Sequence, residues 1–125
     1  MKFEKTMKEA NANQLTKSGE IEWQSLNEEN VTGIFVKSLM FDKTENRAPV
    51  ILLKCAAGAT YPLHNHPCGE EIFVLEGNVK LGKDELFAGD YLYTAVNNKH
   101  RVSTKNGCVI FLKAPCEVEI IKPRT

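Results

Sequence analysis

The stretch Gly58-Ala59-Thr60-Tyr61-Pro62-Leu63-His64-Asn65-His66-Pro67-Cys68-Gly69-Glu70-Glu71-Ile72-Phe73-Val74-Leu75-Glu76-Gly77 decides how this chain folds. It holds two of the chain's three histidines. Side chains two apart on a β-strand point to one face, with about 7 Å of rise between their Cα atoms. His64 and His66 can therefore aim at one ion. Pro67-Cys68-Gly69 is a tight connection by composition. It is expected to fold the next strand back beside the first, which brings a carboxylate level with the imidazoles. Alternation then turns Glu70, Ile72 and Val74 inward and Glu71, Phe73 and Leu75 outward. The third histidine, His100, opens another strand after the polar turn Asn97-Asn98-Lys99.

Working outward, the text stays strand-like. Residues 31–39 and 49–55 are rich in β-branched and apolar side chains, with a turn at 42–46 between them. Glycines at 58, 69, 77, 82, 89 and 107 then punctuate the chain. Segments 61–66, 71–75, 79–81, 91–94, 101–103, 109–113 and 118–121 lie between turn signals. Many short strands with regular turns predict an all-β antiparallel sandwich or barrel. Residues 1–20 are polar and amide-rich, and read as a leader or arm. Residues 21–125 read as a single domain, because the length suits one core and not two.

Hydrophobic residues make up 42% of the chain, enough for a packed interior. Lys plus Arg number 16 and Asp plus Glu number 16. That balance gives no electrostatic ground for a nucleic acid or an anionic membrane as partner. Zero net charge favours self-association, and a homodimer is expected. Apolar runs such as Val50-Ile51-Leu52-Leu53 fall far short of the ~20 residues a spanning helix needs. The start, Met1 to Thr6, lacks the apolar stretch of a secretory signal, so the expected location is cytoplasmic. The four cysteines, Cys55, Cys68, Cys108 and Cys116, form no Cys-x-x-Cys pair and are expected to be reduced.

Three imidazoles and one carboxylate suit one divalent transition metal ion, zinc or iron first, with manganese, nickel or copper also compatible. A His-x-His pair alone is weak evidence for metal. The surrounding spacing carries more. The quoted stretch resembles the first motif of the cupin superfamily: glycine, His-x-His, glutamate and glycine at fixed intervals, with every signature position filled. The resemblance selects Glu70 over Glu71 by its distance to Gly77. It implies a metal set of His64, His66, Glu70 and His100. The second motif is looser. Gly89-Asp90 opens it and His100 stands at the family's distance. Ala95 replaces the usual proline, Asn97 the glycine and Thr104 the terminal asparagine. Asn97 can still take the left-handed backbone of a turn glycine.

The implied fold is a double-stranded β-helix, the antiparallel jelly-roll barrel of RmlC-like cupins, with the ion inside. The run from Gly89 through His100 to Gly107–Lys113 is most similar to the ChrR-type cupin domain. That domain occurs in certain zinc-binding anti-sigma factors and in small stand-alone cupins. Some of the latter are O₂-dependent enzymes that cleave diketones or hydroxyacetophenones. The resemblance thus implies a metal-dependent dioxygenase acting on a small oxygenated compound held in the barrel. The alternative is a non-enzymatic zinc module with a regulatory or redox-sensing role. No separate acid, base or substrate clamp stands out. Ile72, Val74 and Phe111 are expected to line the pocket. Glu71 reads as a solvated strand residue. Cys68 reads as a small turn residue, or as a thiol sensing oxidation beside the ion. Cys55 and Cys108 read as buried packing groups, and Cys116 has no evident partner. Tyr61, Tyr91 and Tyr93 read as core or rim packing, and Trp23 as an anchor for the leader. Arg101, next to His100, should face the opposite way.

Overall fold

The computed structural model describes residues 12–122. The strands are β1 (Gln24–Ser25), β2 (Ile34–Asp42), β3 (Arg47–Cys55), β4 (Thr60–Asn65) and β5 (Glu70–Leu81). They continue with β6 (Asp84–Phe87), β7 (Tyr91–Thr94), β8 (Lys99–Ser103), β9 (Cys108–Lys113) and β10 (Glu119–Ile120). Among the described residues the helical content is one 3-10 turn, Ser18–Glu20. Every ladder is antiparallel. The first sheet runs β1-β2-β3-β9-β5-β7, and the second runs β6-β5-β8-β4-β10. This is the antiparallel β-barrel the sequence predicts.

Strand β5 belongs to both sheets. Its first half pairs with β7 and β9, and its last residues pair with β6 and β8. The sequence reading split it into two strands at Gly77, and the structure joins them. Gly77 supplies the bend with φ 74°, just past a register shift against β9. A Cβ at Gly77 would run into the carbonyl oxygen of Gly107, so only glycine fits. Alternation in β5 is as expected: Glu70, Ile72 and Val74 are buried, whereas Phe73 and Leu75 are exposed.

The interior is packed with Ile34, Ile72, Val74, Val79 and Ile110, each at most 1% exposed. They come from both sheets, so the apolar faces close on one another and fix the register of each strand. The turn at 42–46 joins β2 to β3. Asp42 Oδ1 accepts hydrogen bonds from the Thr44 and Glu45 amides there. Strands β1 and β6 are not apparent in the sequence. In β6, Asp84-Glu85-Leu86-Phe87, Leu86 alone is buried, so little apolar alternation marks it.

The described part of the leader lies on β2. Thr16 Oγ1 donates to the Leu39 carbonyl (2.7 Å), and Lys37 Nζ donates to the Ser18 carbonyl (2.6 Å). Trp23 is half-buried beside Lys37 and Lys54, whose ammonium groups each sit 4.8 Å from its ring centre. That geometry suits a cation–π clamp.

Candidate metal centre

Strand β4 presents His64, and the chain leaves the strand at His66. Strand β8 presents His100 directly opposite His64 in the ladder. The turn after His66 is held by backbone bonds: the Asn97 and Gly69 amides donate to the His66 carbonyl, and the His66 amide donates to Asn98. Asn97 has φ 63°, the left-handed conformation expected where the cupin motif places glycine.

Glu70 arrives from the other sheet. The tight connection at 67–69 does not fold β5 back beside β4, as the sequence reading expected. Strand β4 pairs with β8 and β10, and the two strands share no ladder. The connection instead carries the chain from one sheet to the facing one. The carboxylate reaches the histidines across the interior.

One nitrogen from each of His64, His66 and His100 lies within 4.8 Å of the others, and all three residues are buried. Their ring centres are 4.4–4.9 Å apart. Glu70 Oε1 is 3.3 Å from His66 Nε2 and 3.9 Å from His100 Nε2. His64 Nδ1 is 2.7 Å from the Pro62 carbonyl, and His66 Nδ1 is 2.8 Å from the Asn98 carbonyl. A carbonyl only accepts, so each Nδ1 carries the proton and each Nε2 keeps a lone pair. That is the arrangement metal-bound imidazoles use. Nε2 of His66 and of His100 are buried without a hydrogen-bond partner. Such orphaned polar atoms are costly unless something fills the space between them. A divalent cation with borderline ligand preference fits these donors.

The electrostatics favour neutral rings at two positions. Burial, then the charges of His64 and His66, press His100 down to about 3. Burial also lowers His64. Burial opposes protonation of His66 too, but the Glu70 carboxylate and the Asn98 carbonyl outweigh it and raise its pKa.

A cavity of about 320 Å³ adjoins the centre, with His64 and Glu70 in its wall. Ile51, Leu53, Ile72, Ile110 and Leu112 give it an apolar lining. Glu28, Arg47, Tyr61 and Glu117 supply its polar groups. Val74 and Phe111 do not line it, contrary to expectation. Val74 is wholly buried in the core, and alternation on β9 turns Ile110 and Leu112 inward instead of Phe111.

Tyr61, expected to serve packing, faces the cavity with its ring centre 5.0 Å from that of His64. Residues three apart on a regular strand face opposite ways. A register shift between Tyr61 and His64 puts both inside. The Tyr61 hydroxyl donates to Glu28 (2.8 Å), and burial with that carboxylate raises its pKa. Glu71 points outward and accepts from Tyr91, as its solvated reading requires. Arg101 is exposed.

Thr104, which stands where the motif has asparagine, joins two backbone segments. It is buried, donates to the Asn78 carbonyl (2.6 Å) and accepts from the Gly107 amide (2.9 Å).

The cysteine expectation needs correction. Cys68 and Cys116 form a disulfide with Cα atoms 5.7 Å apart. Their separation of 48 residues hid the pairing, which depends on how the last segment returns to β4. Cys55 and Cys108 are buried free thiols, as read.

The family model for the ChrR cupin-like domain matches residues 11–115. The chain belongs to the ChrR cupin-like family. No curated protein matches this ChrR-type cupin in sequence. Solved structures share its fold. A proposed acetylacetone dioxygenase of Methylibium petroleiphilum aligns with TM-score 0.80 at 19% identity, over 90% of this chain and 83% of that one. The polyketide cyclase RemF of Streptomyces resistomycificus aligns with TM-score 0.75 at 19% identity, over 90% and 88%. An acetylacetone dioxygenase of Acinetobacter johnsonii aligns with TM-score 0.79 at 15% identity, over 90% and 80%. At these identities the likeness is one of fold. No helix among the described residues is long and apolar enough to cross a membrane.

Proposed function

We propose that this ChrR-type cupin is a metal-dependent dioxygenase acting on a small oxygenated organic compound. His64, His66, His100 and Glu70 would hold one divalent ion. The observation that supports this most is the position of the buried imidazole cluster at the wall of an apolar cavity. A purely structural zinc site needs no such space. When bound, the ion supplies Lewis acidity and, if it is iron, electrons for oxygen chemistry.

The chain's own contribution is positioning and exclusion of water. The Pro62 and Asn98 carbonyls fix the rings of His64 and His66. The apolar walls favour a ligand with a hydrocarbon body and place its oxygens toward the histidines. Two neighbours described as acetylacetone dioxygenases agree with a small oxygenated substrate. The test is oxygen uptake by Fe(II)-loaded protein on a diketone panel, with His100→Ala as control. Uptake that requires His100 is expected; no uptake with any metal would reject the enzyme reading.

The disulfide in the ligand loop favours a second reading, a zinc module that responds to oxidation. Metal analysis of protein purified without chelator separates the two, since substantial iron supports oxygen chemistry. We also propose a homodimer, supported by the zero net charge. Light scattering tests it.

A further inference from the structure

The Cys68–Cys116 disulfide ties together two parts of the candidate site. Cys68 lies in the loop between His66 and Glu70. Cys116 begins the final described segment, whose next two residues, Glu117 and Val118, line the cavity. That segment then forms β10, with Glu119 beside Asn65 and Ile120 beside His64.

We infer that this disulfide is a thiol-exchange site, and that its reduction by a dithiol frees residues 116–122 and opens the cavity beside the metal centre. The access it controls rests on the metal reading; the release of the segment does not.

Among the described residues little else holds the segment. Strand β10 has two residues, and none of residues 115–122 is buried. Its ties outside the ladder are Asn65 Nδ2 donating to Glu119 (2.8 Å) and the Ile121 amide donating to Leu63 (2.9 Å). Segments with few buried contacts and exposed backbone bonds open at low free energy. The covalent link therefore dominates. It is also reachable: Cys68 is exposed and Cys116 half-buried, whereas the Cys55 and Cys108 thiols are buried. Exposed disulfides are the labile ones in exchange with thiols.

The exchange balances simply. A thiolate of the dithiol attacks Cys68 Sγ, the S–S bond breaks, and Cys116 leaves as a thiol after taking a proton. The second thiolate of the reagent then displaces Cys68. The protein gains two electrons and two protons, and the dithiol becomes a disulfide.

Hydrogen exchange read by mass spectrometry tests the release. Oxidised protein is compared with dithiothreitol-reduced protein, desalted without air, and with Cys116→Ser and Cys68→Ser. Peptides covering 114–122 should exchange at least about tenfold faster in the reduced and variant forms. Peptides of β3 and β9 should be unchanged, which separates local release from general unfolding. Equal exchange of the tail in all forms, or four free thiols in air-oxidised protein, would overturn the proposal. The second arm loads each form with zinc and measures its removal by EDTA. Removal about tenfold faster after reduction is expected. A loosened tail with equal removal rates would overturn access control. Absence of zinc binding in every form would reject the metal reading and the control of access that depends on it, while hydrogen exchange would still decide release.

Discussion

His66 Nε2 and Glu70 Oε1 meet at 3.3 Å although His66 follows β4 and Glu70 opens β5, two strands that share no ladder. Four residues of sequence carry the chain from one sheet to the facing one. The carboxylate therefore closes the histidine cluster from across the interior. Contacts made across a packed core depend on both sheets keeping their register. The cluster therefore keeps its geometry only while both sheets hold their register.

The ligand assignment can be taken apart residue by residue. His66→Ala and His100→Ala should each lower zinc affinity by more than about 100-fold, above the range for loss of an outer-shell partner. Glu70→Gln keeps the side-chain volume and removes the charge. It should weaken binding by at least about tenfold. Competition titration against a chromophoric chelator reads all three. Wild-type affinity in Glu70→Gln would remove Glu70 from the ligand set.

The metal-free protein should lose stability on mild acidification. His100 is pressed down to about 3 by burial and by its histidine neighbours. Its native state resists a proton that the unfolded chain accepts near about 6.5. That contribution is complete above the unfolded value and is lost as pH falls toward 3. His64, lowered chiefly by burial, acts in the same direction. His66 is raised, so its contribution is present below the unfolded value and lost as pH rises through its native value. Two groups oppose one. The urea midpoint should therefore fall between about pH 7.5 and pH 5 with the slope unchanged. A midpoint that rises would contradict the balance drawn here. Zinc affinity should fall over the same interval, because His66, whose pKa is raised, takes up a proton that competes with the ion.

Thr104 offers a test that leaves the metal aside. Its hydroxyl joins the Asn78 carbonyl to the Gly107 amide in a buried position. Thr104→Val keeps the shape and strands both backbone groups, a cost of about 1–3 kcal/mol for each buried group left unpaired. Thr104→Ser should recover most of the loss. Chemical denaturation gives both numbers, and equal stability of the valine variant would show that water replaces the hydroxyl.

Much of this was legible because strands have a period of two. The period put His64 and His66 on one face and separated Glu70 from Glu71, and the structure keeps both results. Where that period breaks, the reading fails. Tyr61 enters the cavity through an irregularity that leaves no mark in the residue types. Gly77 looked like a turn and is a bend within one strand. Pairing between distant segments was also hidden. The absence of a β4–β5 ladder and the Cys68–Cys116 link both depend on which sheet receives each strand. Composition along the chain carries no trace of that choice.

The cavity itself can be filled without touching the metal set. Leu112 lines it from β9, between Lys113 and Phe111, which alternation turns the other way. Leu112→Trp adds bulk where about 320 Å³ is open, so the new ring has space to occupy. Overpacking commonly costs about 1–3 kcal/mol, and the void should hold the loss to the low end. Zinc affinity should stay at the wild-type value, because Leu112 is not among the clustered histidines. Binding of acetylacetone to the metal-loaded protein should weaken by about tenfold or more, equivalent to about 1.4 kcal/mol. Calorimetry on the two proteins measures both quantities. If acetylacetone binds the filled variant as tightly as the parent, the small molecule reaches the ion by another route and the cavity is not its binding site.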